Sequence, residues 1–384
     1  MLLVFGTAKL LAEIFERLRM PGIVGEIAAG MLIGPAVLGW VTPNEITEAL
    51  SDLGVMFLLF RVGLEVKSSE LMRVGGTALS VAVAGVVLPF LAGWGLLSLW
   101  GFGVRESVFV GAAMVATSVG ITAQVLASKG LLHLVSSKII LAAAVIDDVL
   151  GLIVLAIVSS FASGEVHLGD IALTTILAVG FTLIVARWGT SAMGRVVPRM
   201  EQTLAAGEVQ FNLALVFLFG MAVLASYAGI AAIVGAFLAG MALSETVSHR
   251  VHDLATGISE FLVPFFLAGI GLKFSFDAFH DPRLVALSAV IVVAAILSKL
   301  IGCGLGAYRM GKVDMLRIGV GMVPRGEVGM VVAQIGMAAG IIEKPIYSVV
   351  VLMAILTTVV APPLLVLAYR GAERALPEEK YTLG

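Results

Sequence analysis

Two adjacent aspartates, Asp147 and Asp148, stand inside AAAVIDDVLGLIVLA, a run that is apolar on both sides. A carboxylate at the centre of a membrane helix costs about 2.5–3.5 kcal/mol on insertion scales. Two neighbours are hard to explain by packing. Successive residues on a helix point about 100° apart, so these side chains cannot face one point equally. One can pair with a buried cation while the other faces a water-filled cavity. Lys299 lies mid-span in VVAAILSKLIGCGLG and needs a partner or a neutral state. Either aspartate can be that partner. Desolvation raises an aspartate's proton affinity and a nearby ammonium lowers it. A cavity carboxylate tuned upward holds either a proton or a cation, and that competition is a physical basis for exchange.

Two further stretches look like interrupted helices. VATSVGITA (115–123) clusters Thr117, Ser118, Gly120 and Thr122, and MVPRGEVGM (322–330) contains Pro324 and Gly326. Proline removes a backbone donor and glycine loosens the turn. Unwound backbone leaves carbonyl oxygens free to face a cation. Thr117, Ser118 and Thr122 are therefore candidate lining residues of a broken-helix site. Arg325 and Glu327 occupy the second interruption, where they can neutralise each other or cap exposed helix ends. Glu26, Arg61, Glu65 and Glu260 fall near span ends or in outer helices and are assigned no chemistry. Arg61 and Glu65 are four apart and are expected to pair, as are Lys9 and Glu13.

The elements that carry these residues are membrane helices. Of 384 residues, 60% are hydrophobic and only 13% charged, against about half and a quarter in soluble domains. Mean hydropathy is +1.08. Polar punctuation places thirteen spans, at roughly 2–19, 22–40, 47–66, 74–101, 106–128, 136–162, 168–188, 209–228, 230–246, 257–275, 284–308, 315–340 and 346–369. The first is interrupted by Lys9, Glu13 and Glu16, and an interfacial helix is its alternative. Lys and Arg collect on alternate loops: Arg17, Arg19, Lys67, Arg73, Lys129, Lys138, Arg187, Arg195, Arg199, Arg250, Arg309, Lys312, Arg317, Arg370, Arg374 and Lys380 are expected on one side, and only Arg105, Lys273, Arg283 and Lys344 on the other. The asymmetry puts the N-terminus outside and the C-terminus in the cytoplasm. A net charge of −2 gives no bulk attraction to nucleic acid, and a single cysteine, Cys303, excludes an internal disulfide. No secretory signal is expected.

An internal repeat organises the spans. GEIAAGMLI (25–33) resembles GAFLAGMAL (235–243), and FLLFRVGLEVK (57–67) resembles PFFLAGIGLKF (264–274), both at an offset of about 208–210 residues. The same offset carries span 1 to span 8, span 5 to span 12 and span 6 to span 13, seven spans and so an odd number, and the second copy is expected upside down. Residues 1–162 form the first repeat, 163–209 a linker span and basic loop, 210–371 the second repeat, and 372–384 a cytoplasmic tail. The two interruptions then occupy corresponding places, a pointer to a binding site at the midplane.

VIDDVLGLIVLA, VATSVGITA, PRGEVGMVVA and the lysine of ILSKLIG together resemble the cation:proton antiporter superfamily, most of all its bacterial NapA-type Na⁺/H⁺ antiporters. VGEIAAGMLIGP (24–35) and FRVGLE (60–65) also resemble family segments, and the likeness covers essentially the whole chain. It implies an all-α polytopic fold of about thirteen helices, with two inverted-topology repeats and crossed broken helices. It implies a homodimer through spans 1–3 and 8–10, and a mobile core of spans 4–6 and 11–13. Asp148 would carry cation and proton. Asp147 would pair with Lys299 and separate from it when Na⁺ binds, so both aspartates are candidate Na⁺ ligands. Two protons would exchange for one Na⁺ by an elevator-like movement, in a bacterial inner membrane. Arg61 departs from the resemblance, since an apolar residue is expected before VGLE.

No cofactor is expected beyond the transported ions, and no nucleotide-binding domain is expected. The expected class is a transporter and not an enzyme. A potassium/proton antiporter is the nearest alternative, since no motif measures ion radius. A channel needs neither paired breaks nor a proton-competing carboxylate. An intramembrane aspartyl protease needs carboxylates converging from different helices. No phosphate-binding loop accompanies the spans. His133, His167, His249, His252 and His280 lie in or near loops and are read as solvated.

Overall fold

The computed structural model describes residues 1–18, 20–163, 168–203, 208–229, 231–274, 282–325 and 327–370. Among these residues regular structure is helical, with fifteen α-helices and one 3₁₀ turn. Six helices are long and apolar enough to cross a membrane on length and composition alone. Two expected spans are each split into a head-to-tail pair of short helices. Joining each pair leaves thirteen helical segments.

The helices pack in two groups. One contains α1 (Leu2–Arg17), α2 (Gly22–Ile33), α3 (Glu45–Leu64), α9 (Val209–Tyr227), α10 (Ala232–Leu243) and α11 (His249–Leu272). The other contains α4 (Ser68–Trp100), α5 (Val104–Ala113), α6 (Val119–Ser128), α7 (Val135–Ser163), α12 (Pro282–Gly306), α13 (Lys312–Gly321), α14 (Glu327–Ala338) and α15 (Lys344–Ala368). Between the groups, α6 touches α3 and α15 touches α2. The remaining helix, α8 (Leu168–Thr203), reaches both α7 and α10.

Local sequence explains several boundaries. In PNEIT, the Asn44 Oδ1 accepts from the Thr47 N–H at 3.0 Å and the Thr47 Oγ1 accepts from the Asn44 N–H at 2.9 Å. This reciprocal cap satisfies two amides that open α3. Gly101 ends α4 with φ +94°, a left-handed conformation that glycine adopts without strain. At the start of α5, Glu106 accepts from the Gly103 N–H at 3.0 Å.

The basic stretch expected as a loop over 189–209 is instead helical as far as Thr203, as the continuation of α8. Met193, Val197 and Met200 recur at helical spacing, with Val197 buried while Arg195 and Arg199 are exposed. A one-sided apolar stripe of this kind supports helix despite Pro198.

The second set of helices follows the first in order and size. Both α2 and α10 have 12 residues, and both α5 and α13 have 10. Contacts are reciprocal: α2 crosses α11, and α3 crosses α10. These crossings are closed by glycines from the repeated motifs. A Cβ at Gly30 would overlap the Ala268 carbonyl, and one at Gly271 the Ile27 carbonyl. In the same way Gly63 lies against the Phe237 carbonyl and Gly240 against that of Phe60. Small residues let membrane helices approach backbone to backbone.

Gly240→Val should destabilise the protein by more than about 3 kcal/mol, because backbone cannot yield as a side chain does. Gly220→Ala, on α9 with open space around it, should stay within about 0.5 kcal/mol of the parent or gain from helix propensity. Thermal unfolding in detergent separates the two.

Candidate functional site

The site is built where the two interrupted segments meet. Helix α5 stops at Ala113 and α6 starts at Val119, while α13 stops at Gly321 and α14 starts at Glu327. The Ser118 N–H donates to the Pro324 carbonyl at 2.8 Å. The Thr122 hydroxyl donates to the Gly321 carbonyl at 2.6 Å. A Cβ at Gly329 would lie 2.6 Å from the Ala113 carbonyl. The extended segments thus touch directly, and each satisfies part of the other's backbone.

Arg325 binds this junction together. Its side chain is 1% exposed. Nη1 donates to the carbonyls of Val115 at 3.1 Å and Ala116 at 3.3 Å, and Nη2 donates to that of Ala295 at 3.0 Å. The first two acceptors lie just past the C-terminal end of α5, where helix carbonyls run out of partners and carry partial negative charge. Two threonines of α15 hold the arginine's own backbone: its N–H donates to Thr357 Oγ1 at 3.2 Å, and Thr358 Oγ1 donates to its carbonyl at 2.7 Å. Arg325 therefore compensates a helix end. The side chain of Glu327 lies outside the described residues.

Beside the junction, α7 and α12 bring Asp147 and Lys299 together. The Lys299 ammonium donates to Asp147 Oδ1 at 3.0 Å, with the two side chains 0% and 1% exposed. Asp147 Oδ2 is buried with no hydrogen-bond partner among the described residues, and so is Thr117 Oγ1. Orphan buried oxygens are costly in a folded protein, and such oxygens are the donors a hard cation takes. Asp148 and Ser118 are both partly buried. Thr122 is fully buried, with its hydroxyl committed to the junction.

Cavities approach the junction from two ends. A cavity of about 650 Å³ lies between α1 and α2 on one wall and α6 on the other, lined by Glu13, Glu16, Glu26, Gln124, Ser128 and Lys129 among others. At the opposite end a space of about 190 Å³ holds Glu48, Asp52 and Lys273. A second space of about 30 Å³, sharing Ser51, Asp52, Gly269 and Lys273 with it, is lined by Ser118, Arg325, Val55 and Phe266. The last two side chains pack against Gly120 of α6, where a Cβ would be 3.1 Å from Val55 and 3.2 Å from Phe266.

The large cavity also holds a pair that local spacing does not give. Lys9 meets Glu26 at 3.0 Å, and Glu13 meets Arg17 at 2.8 Å, so the expected Lys9–Glu13 pair does not form. Glu26 is 5% exposed, and its desolvated carboxylate has the greater need of an ammonium. An isolated Glu inside GEIAAGMLI was the available signal. Arg61 and Glu65 stand 4.0 Å apart, a loose pair.

The fold and this junction define a membrane transporter of the exchanger type. The sodium/hydrogen exchanger, transmembrane family matches residues 2–368, and the chain belongs to it. It is 34% identical over 383 residues to the Na⁺/H⁺-K⁺ antiporter GerN of Bacillus cereus, covering 98% of this chain and 97% of that protein. It is 33% identical to the high-affinity Na⁺/H⁺ antiporter NhaS3 of Synechocystis sp., covering 99% and 91%. Its fold matches the solved sodium proton antiporter MjNhaP1 of Methanocaldococcus jannaschii with a TM-score of 0.66 at 16% identity, over 97% and 96% of the two chains.

Arg325→Met should lower stability by about 3–5 kcal/mol, because it strands three buried carbonyls at once. Arg325→Lys should recover only part of that loss, since an ammonium lacks the planar fork. Unfolding midpoints in detergent measure both.

Proposed function

We propose that this chain is a secondary antiporter that exports cytoplasmic Na⁺ in exchange for protons across a bacterial inner membrane. The observation that carries this reading is the buried Lys299–Asp147 pair set against two interrupted segments in hydrogen-bonded contact. Family membership and the names of the relatives support it. The reciprocal helix crossings support two repeats of inverted topology, spanning thirteen times with the N-terminus outside.

In this reading Asp148 is the principal cation and proton carrier. Protons entering from outside load Asp148 and the Asp147–Lys299 cluster. The group of α4–α7 and α12–α15 then moves against the other, as an elevator. Na⁺ displaces the protons, held by Asp148, by Asp147 and by oxygens at Thr117 and Ser118. Asp147 Oδ2 and Thr117 Oγ1 suit that role because protein donors leave them unsatisfied. Thr122 serves by fixing the junction. The cluster titrates as one coupled system. Two protons per Na⁺ move one net charge, worth about 2.3 kcal/mol at 100 mV. No catalytic residue or cofactor enters the cycle.

The 650 Å³ cavity opens beside Lys129, at the end of the molecule where the basic residues collect. We assign this end to the cytoplasm, so the conformation is inward-facing and Val55 and Phe266 on Gly120 form the outer seal. The packing of α1–α3 with α9–α11 is the surface we assign to a homodimer. A potassium/proton antiporter is the second reading, favoured by the potassium in the name of GerN.

Proton flux in proteoliposomes after separate Na⁺, Li⁺ and K⁺ jumps tests both readings. Wild type should respond to Na⁺, and Asp148→Asn should fall to the protein-free background. A response to K⁺ alone would transfer the chain to the second reading. Full exchange by Asp148→Asn would refute the role given to Asp148.

A further inference from the structure

The Lys299 ammonium is held from a side that carries no charge. Helix α4 lies along α12 through a row of close approaches. The Ser80 hydroxyl donates to the Gly306 carbonyl at 2.6 Å, and a Cβ at Gly302 would lie 2.7 Å from the Ala84 carbonyl. Next along α4 comes Gly85, which is buried. A Cβ there would stand 2.5 Å from Cys303 Sγ, 3.3 Å from Lys299 Nζ and 3.7 Å from Lys299 Cδ. Lys299 and Cys303 are four apart on α12, so both present one helical face to α4.

Gly85 differs from the other glycines of this interface. Gly302 and Gly306 make room for backbone. Gly85 makes room for the end of the lysine side chain. That end donates to Asp147 at 3.0 Å. The charged or titratable groups that act on the ammonium include Asp147, Cys303 and Arg325. Asp147 is its hydrogen-bond acceptor among the described residues. A lysine has many rotamers, and its pairing geometry depends on what closes the others off. Glycine at position 85 leaves that seat open, where a Cβ would already stand 3.3 Å from the ammonium nitrogen.

We propose that Gly85 is a positioning residue for cation binding, holding the Lys299 ammonium on Asp147, an assignment that rests on the exchange reading above. A methyl group at this position displaces the ammonium by a few tenths of an ångström. The hydrogen bond to Asp147 weakens, and a cation competing for that carboxylate meets less opposition. Sodium binding therefore tightens while the fold persists.

Gly85→Ala alone also collides with Cys303, so the test is made in a Cys303→Ala background, which removes the nearer obstacle. Cys303→Ala and Gly85→Ala/Cys303→Ala are compared as purified full chains. One readout is the unfolding midpoint without sodium. The second is the sodium concentration giving half of the thermal stabilisation that binding confers. The double variant should unfold near its parent and require about threefold less sodium, as expected for weakening one charge-assisted hydrogen bond. Gly302→Ala, at the same interface but against backbone, should lower the unfolding midpoint and leave the sodium requirement where it was. A requirement in the double variant that is unchanged or higher overturns the assignment. So does a loss of folding without change in sodium response. Sodium-driven proton flux of the Cys303→Ala parent is recorded alongside. A parent that exchanges sodium while the glycine change has no effect defeats this assignment alone, whereas a parent blind to sodium in both assays defeats the exchange reading and this assignment with it.

Discussion

An ammonium and a carboxylate, both almost wholly removed from solvent, sit 3.0 Å apart between α7 and α12. Each would cost several kcal/mol to bury alone, and each makes the other tolerable. Much of the surrounding architecture serves that arrangement. Helix α4 contacts both α7 and α12 and closes over the lysine with glycine and small residues. Arg325 adds a second buried cation, but its charge is spread over carbonyls at a helix end. Asp148, one position from Asp147, brings a second carboxylate to the same neighbourhood. In the exchange reading proposed above, a proton or a monovalent cation stands in for the lysine's charge in this cluster.

The broken segments supply what a continuous helix cannot. A regular helix consumes its own carbonyls and amides. Here α5 and α13 end, and α6 and α14 begin, at one place. Peptide groups that would be internal are then available to bond across the junction. The Ser118–Pro324 and Thr122–Gly321 bonds show that the two segments form one unit. The same bonds bring residues some 200 positions apart into fixed register. By contrast, the two helix groups meet through fewer contacts, at α6 with α3 and α15 with α2, and cavities lie along that boundary. Rigidity within a group and thin contact between groups is the mechanical condition for one to slide on the other.

Much of this was legible in the sequence because membrane burial makes polar residues conspicuous. Asp147, Asp148 and Lys299 stand out against apolar runs, and Pro324 and Gly326 mark one break as the Thr/Ser/Gly cluster marks the other. The repeated glycines of GEIAAGMLI and GAFLAGMAL turned out to be points of backbone contact. What was not legible depends on how helices cross. Lys9 has Glu13 on its own face, yet the buried Glu26 of the next helix takes it. The Arg325 guanidinium reaches carbonyls of two other segments, which no spacing in the sequence announces. Intrahelical spacing gives candidates for pairing, and desolvation chooses among them. Helix α8 continues through a basic stretch whose charge suggests a loop, although Met193, Val197 and Met200 trace a helical stripe within it.

The central claim is that Lys299 and Asp147 are energetically one unit. It is tested most directly by a double-mutant cycle read by thermal unfolding in sodium-free detergent. The variants are Lys299→Met, Asp147→Leu and the two combined. Each single change strands a buried charge, so each should be strongly destabilising. The combined variant should recover most of the loss, with a coupling above about 2 kcal/mol. Losses that simply add would show that the two groups are independent, and would contradict the account at its root.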